Sequence, residues 1–265
     1  WLQEFSAESE AAATQEVVYE TVTTGQALDE WIERLEAADL FAFDTETTSL
    51  DAMQAELVGL SFCVEPGTAA YVPVGHDYPG AGSQLDRDAV LARLRPLLED
   101  ADRPKVGQHI KYDMNVLSLY GVTVRGVAFD TMLESYVFNS TGSRHDMDSL
   151  ALKYLGRQTT HYEDITGKGA KQISFSQVRI DDASHYAAED ADITLQLHEH
   201  LWPRLREVPS LASVLQDIEV PLIPVLARME QRGVLVDGDV LNRQSRELAR
   251  KISELETATH EAAGQ

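Results

Sequence analysis

The stretch Leu40-Phe41-Ala42-Phe43-Asp44-Thr45-Glu46 constrains the fold of this chain more than any other. Its first half has no polar face, which is the pattern of a central strand covered on both sides. Such a strand needs neighbours, and residues 57–64 and 70–74 supply them as further strand-like runs separated by turn residues. Short strands are expected at 105–107 and 127–129. Helical periodicity marks 28–37, 86–100, 109–120, 131–139, 148–155 and 184–206. Three leading strands followed by alternating elements predict an α/β fold, a mixed sheet flanked by helices.

With 265 residues, 43% of them hydrophobic, the chain can bury a sizeable core. No unbroken apolar run approaches the roughly 18 residues of a spanning helix, so none is expected. Residues 1–14 carry acids where a secretory signal would be basic. Residues 1–18 read as a polar, acidic linker. Cys63 is the one cysteine, and it reads as core filler in a reducing, cytoplasmic setting. The formal net charge of −22 argues mildly against nucleic acid, because phosphate binding rests on Lys and Arg. Bound cations or a neighbouring domain would have to provide the positive charge. Beyond Val208-Pro209, Leu211, Val214, Leu215, Ile218, Leu222, Val225, Leu226 and Met229 form an apolar helical stripe. Leu241, Leu248, Ile252 and Leu255 form a second seam, so 208–265 reads as part of something larger.

The sharper signal is a set of carboxylates on surfaces that should be apolar. A period of two places Asp44 and Glu46 side by side on one strand face. A strand that simply ends in solvated acids is the competing account, and the segment alone does not choose. On the helix at 184–206, 100° per residue sets Asp190 among Ala187, Ile193, Thr194, Leu197 and Leu201, the packing face. Glu189 and Asp192 fall on the other side and read as surface. The same wheel sets Asp113 among Ile110, Val116, Leu117 and Tyr120. Buried unpaired carboxylates cost several kcal/mol or shift until neutral. Divalent cations would offset that cost, and an all-oxygen set suits magnesium or manganese. A structural salt bridge is the alternative for Asp113 and Asp190. Asp130, Asp146 and Asp148 read as helix caps. His198 and His200, two apart on a helix, do not converge on a metal. The loop 167–171, with Lys168 and Lys171, is either a phosphate contact or plain solvent-exposed chain.

Asp-x-Glu at 44–46, Asp113 after Lys111-Tyr112, and Tyr-x-x-x-Asp at 186–190 resemble the three motifs of the DEDD exonuclease superfamily, tyrosine subclass. FAFDTETTSLD, VGQHIKYD, AFDTMLESY, RHDMDSLA and HYAAEDADITLQLH resemble the 3′→5′ proofreading part of the family A bacterial DNA polymerases. The resemblance implies a ribonuclease-H-like fold over 19–207 and the first helices of a polymerase thumb over 208–265, after a 1–18 linker. It implies two-metal hydrolysis with Mg2+, Mn2+ substituting. Asp44 would bridge both ions, Glu46 and Asp190 would complete that site, and Asp113 would hold the second ion through water. Tyr186 would position the attacking water. Leu50 and Tyr162 would wedge against terminal bases, and Gln108, Lys111 and Arg144 would meet phosphates. The implied partners are a single-stranded DNA 3′ end and the polymerase domain of a parent chain, without a membrane, in the cytoplasm near the nucleoid. The palm is missing, so synthesis of DNA is not expected.

One position departs from the pattern, with His109 where the family has Asn after Gly-Gln. His185 also satisfies a histidine-subclass spacing if the helix begins near Ser184, whereas a helix already under way there lets only Tyr186 face the metals. The competing functions are a ribonuclease-D-like RNA exonuclease and a catalytically inactive scaffold domain.

Overall fold

The computed structural model describes residues 17–142 and 144–264. In chain order, β1 (Val18–Thr21) and α1 (Gly25–Ala37) precede β2 (Phe41–Thr47), β3 (Leu57–Glu65) and β4 (Thr68–Pro73). Then come α2 (Arg87–Glu99), β5 (Lys105–Gly107), α3 (Lys111–Ser118), β6 (Val127–Asp130) and α4 (Thr131–Phe138). Short α5 (Met147–Leu150) and α6 (Tyr162–Thr166) lead to the long α7 (Ile180–Arg206). The helices α8 (Pro209–Val214) and α9 (Val220–Arg232) follow, and then α10 (Gly238–Ala263).

The six strands form one mixed sheet in the order β1-β4-β3-β2-β5-β6. β3 is antiparallel to β2 and β4, whereas β1–β4, β2–β5 and β5–β6 are parallel. The expected α/β architecture with a central β2 is therefore what the chain adopts. Side-chain parity divides the core. Phe41 and Phe43 join Trp31, Leu35 and Leu94 of α1 and α2 on one face. Ala42, with Val106 and Cys63, meets Ala188, Ala191 and Leu195 of α7 on the other. Small residues on both sides of that second interface let α7 approach the sheet closely.

Several boundaries differ from the sequence reading. Val18 opens a strand instead of closing a linker, and the rest of the expected linker, 1–16, lies outside the described residues. β1 was hidden because four residues carry too short a pattern, and only its parallel partner β4 defines it. α7 begins at Ile180, not near 184, so Ser184 is no N-cap; its hydroxyl meets Thr21 Oγ1 at 2.6 Å. Asp130 and Asp146 do cap α4 and α5. Asp148 does not cap; it accepts from Thr159 Oγ1 at 2.6 Å and meets His161 Nδ1 at 2.7 Å.

The expectation that nothing here could span a bilayer needs correcting. Pro209–Arg232 is long and apolar enough by length and mean hydropathy, 1.4 over its most apolar window, because averaging tolerates isolated polar residues. One such helix is weak evidence of a membrane. Ile223 and Ala227 of α9 are buried in the main core, whereas Ile218, Leu222, Val225, Leu226 and Met229 of the stripe stay exposed. Residues 232–265 form a separate unit. Within it α10 is capped by Asp237 and leaves Leu241, Leu248, Ile252 and Leu255 exposed.

Candidate active site

Alternation along β2 that sends Phe41 and Phe43 to one core sends Asp44 and Glu46 toward α7, on the side of Ala42. Their cross-strand partners on β3 are small: Ser61 faces Asp44 and Gly59 faces Glu46. A Cβ on Gly59 would collide with the Tyr71 ring at 2.2 Å, so the tyrosine fills the space that glycine vacates. From α7, Asp190 enters the same space. Carboxylate oxygens of Asp44, Glu46 and Asp190 lie within 4.8 Å of one another.

Asp113 arrives by a different route. β5 pairs with β2 only at Phe41 and Ala42, which leaves the edge of β2 open beyond that point. The chain turns there into α3, and Asp113 Oδ1 takes the place of a strand by accepting from Thr45 N at 2.9 Å and Thr45 Oγ1 at 2.5 Å. Asp130 braces that turn, accepting from Ile110 N at 2.9 Å as well as capping α4. His109 within it has φ of 56°, the left-handed region that Asn, Asp and His tolerate best, so the exchange for the family's Asn is sterically mild. Thr45 is a residue the sequence reading missed, although its alternation away from Asp44 placed it on the other face.

Among the described residues none of the four acids makes an ion pair. Burial pushes the Asp44 carboxyl up to about 7. Glu46 is raised as well, by burial and then by Asp44, Asp190 and Asp113. Asp113 and Asp190 are raised by burial and then by Asp44. Ser61 Oγ, buried opposite Asp44, has no hydrogen-bond partner. Converging unpaired oxygen donors beside an orphaned hydroxyl fit a hard divalent cation such as Mg2+ or Mn2+.

A pocket of about 460 Å3 opens on Asp44, Glu46 and Asp190 but not on Asp113, and is lined also by Leu50, Tyr112, Tyr162, Glu163, Gln172 and Tyr186. Leu50 is 98% exposed at its rim. Tyr162 stacks on Phe175 (6.2 Å, 16°) and meets the Tyr186 ring edge-on. Because α7 is under way by 180, Tyr186 faces the pocket, while His185 lies on the outside against Tyr19. Burial, then Asp190, Glu46 and Asp44, push the Tyr186 phenol far up, so it remains a hydrogen-bond donor.

The other sequence candidates are not gathered here. His109 and Lys111 line a second pocket that shares Leu50 and Tyr112 with the first. The Gln108 amide donates to His145 O at 3.0 Å. Arg144 is exposed, pairs with Asp146 at 3.4 Å and borders a third pocket with Asp148 and His161.

The reading of Glu189 and Asp192 as surface acids is overturned. Asp192 is fully buried, accepting from Tyr19 Oη at 2.7 Å, Gly67 N at 2.8 Å and Gln196 Nε2 at 2.7 Å. Glu189 is buried and accepts from Thr160 N at 2.7 Å, and Arg157 bridges it to Asp192. The helical wheel failed because it assumes one packed face. α7 contacts the sheet, and it also contacts α5, the turn after it, and α6.

A family of 3′–5′ exonucleases, those of the family A DNA polymerases, matches residues 19–206. The chain belongs to it. It is 58% identical over 260 residues to the DNA polymerase I of Pseudomonas aeruginosa, covering 97% of this chain but 28% of that protein. Among solved structures, the POL domain of Pol1 from M. smegmatis, in complex with DNA primer-template and dNTP, superposes with a TM-score of 0.73. That match is 24% identical and covers 93% of this chain and 38% of that one. Brucella melitensis NrnC with bound Mg2+ superposes at 0.58, 17% identical, covering 83% and 95%. These two support the mixed-sheet nuclease fold alone.

Proposed function

We propose that this exonuclease domain removes nucleotides from single-stranded or frayed DNA 3′ ends, releasing nucleoside monophosphates, as the proofreading part of a DNA polymerase I. The observation that carries this reading is the convergence of Asp44, Glu46 and Asp190 with Asp113 pinned beside them. Residues 208–265 are read as the first thumb helices of a polymerase domain, after the exonuclease over 19–207 whose first strand takes in Val18, in a cytoplasmic, nucleoid-associated protein.

Two divalent cations would supply the charge that stabilises the attacking and leaving oxygens of the phosphodiester. Asp44, Glu46 and Asp190 would hold them, with Asp113 reaching the second through water. Thr45 keeps Asp113 in one rotamer by donating twice to it. The Tyr186 hydroxyl, kept protonated beside Asp190, orients the attacking water by a hydrogen bond and takes no proton from it. Tyr162 and Leu50 would flank the terminal bases, a sequence-tolerant grip. The polarity of the strand and its metal dependence are tested by digesting 5′-labelled single-stranded DNA with Mg2+, with and without chelator. A ladder shortening from the 3′ end supports the reading. Cleavage of RNA in preference to DNA, or none with any metal, overturns it.

A further inference from the structure

Lys111 is the one Lys or Arg among the described residues that line either the acid pocket or the pocket beside it. Leu50 and Tyr112 wall both, so a strand that leaves the acids past Leu50 enters the second pocket, about 360 Å3, in front of Lys111. Everything else charged along that path is acidic or histidine: Asp44, Glu46, Glu163 and Asp190 in the first pocket, Asp51, Glu230 and His109 in the second. A phosphate chain thus meets a single cationic side chain, and that one is already engaged. Glu230 of α9 pairs with Lys111 Nζ through Oε1 and accepts from Asn115 Nδ2 at 2.7 Å through Oε2. Lys111 and Asn115 are four apart and share one face of α3. The neighbouring Gln231 donates to Asn115 Oδ1 at 3.0 Å, which completes a two-by-two clasp between α3 and the end of α9.

We infer that Glu230 is an affinity-setting residue that competes with a substrate phosphate for Lys111, so that strand entry and the seating of α9 oppose each other. The inference rests on the exonuclease reading for the identity of the ligand. Its physical core is that a carboxylate and a phosphate oxygen want the same ammonium protons. The contact is open enough for exchange, since the side chains of Lys111 and Glu230 are 24% and 45% exposed. A strand that wins Lys111 leaves Glu230 held only by Asn115, and the last turn of α9 loses one of its three ties to α3. An ordinary surface ion pair, by contrast, would fasten α9 without touching substrate affinity.

The test is a double-mutant cycle of binding, which needs no cleavage. Fluorescence anisotropy of a labelled oligothymidylate is measured with Ca2+ for wild type, Glu230→Gln, Lys111→Met and the double variant. Glu230→Gln keeps a side chain that can still meet Asn115 and removes the competing charge. It should tighten binding roughly two- to fivefold, the worth of one exposed ion pair. It should also steepen the logarithmic salt dependence by about 0.7, one further phosphate contact. In the Lys111→Met background the same change should do neither. Equal tightening in both backgrounds, no tightening in either, or no binding by the wild type would overturn the inference. Melting curves separate a folding defect from an affinity change, and Gln231→Ala, which loosens α9 without altering charge, should leave the salt slope unchanged. Absence of Mg2+-dependent cleavage with the coupling intact would sink the exonuclease reading and leave the competition standing.

Discussion

Two sets of acids withdrawn from solvent meet at α7, and they live under opposite conditions. Asp192 and Glu189 are met by Arg157, Tyr19 Oη, Gln196 and backbone N–H groups. Asp190, between them in sequence, faces Asp44 and Glu46 and has no cationic partner among the described residues. One helix thus holds acids paired with a cation and an acid without one within the four residues 189–192. Burial alone does not identify a site; burial without compensation does.

The largest effect expected from breaking this contrast is on catalysis. Asp44→Ala should drop single-turnover cleavage on the order of 10³-fold, since it removes the central donor of the cluster. In metal-free protein it should raise the melting temperature, because it relieves like-charge crowding. A lowered melting temperature would place Asp44 with the satisfied acids. Asp192→Ala should do the reverse, costing about 2–4 kcal/mol in denaturant unfolding by stranding buried donors. Its site chemistry should persist in whatever fraction stays folded.

Tyr186→Phe should lower cleavage about tenfold or more with little change in melting, whereas His185→Ala should stay near wild type. The opposite ranking would mean that the outward-facing histidine reaches the chemistry after all. The pH dependence is a milder test. Asp44 is raised to about 7 from an unfolded value near 4, and Glu46, Asp113 and Asp190 are raised in the same direction. The folded state therefore binds more protons than the unfolded state in this window, and metal-free stability should fall as pH rises from about 4 through about 7. Mg2+ should flatten the slope; a metal-free melting temperature that rises across the window would contradict the crowding. The smallest expected effect belongs to Glu189→Ala, a loss of about 1–2 kcal/mol from the unpaired Thr160 N–H. Because Thr160 lies two residues from Tyr162, KM should rise more than kcat falls, and Glu189→Gln should restore both.

The central strand, the mixed sheet, most helices, the shared face of Asp44 and Glu46 and the inward turn of Asp113 and Asp190 were legible in the sequence, whereas the strand pattern alone left open whether Asp44 and Glu46 turn inward. Each rests on a local period that a single packed surface preserves. Family resemblance, not periodicity, carried the roles assigned to Tyr186, Leu50 and Tyr162. What the sequence could not show is which acids are compensated. β1 exists only because β4 pairs with it, Thr45 holds Asp113 only because β5 stops short, and Arg157 reaches Glu189 and Asp192 only because the chain after α5 folds over α7. Those partners lie far apart along the chain: 50 residues separate Val18 from Thr68, 68 separate Thr45 from Asp113, and 32 and 35 separate Arg157 from Glu189 and Asp192. Periodicity reports which way a side chain points, and only tertiary packing decides what waits for it there.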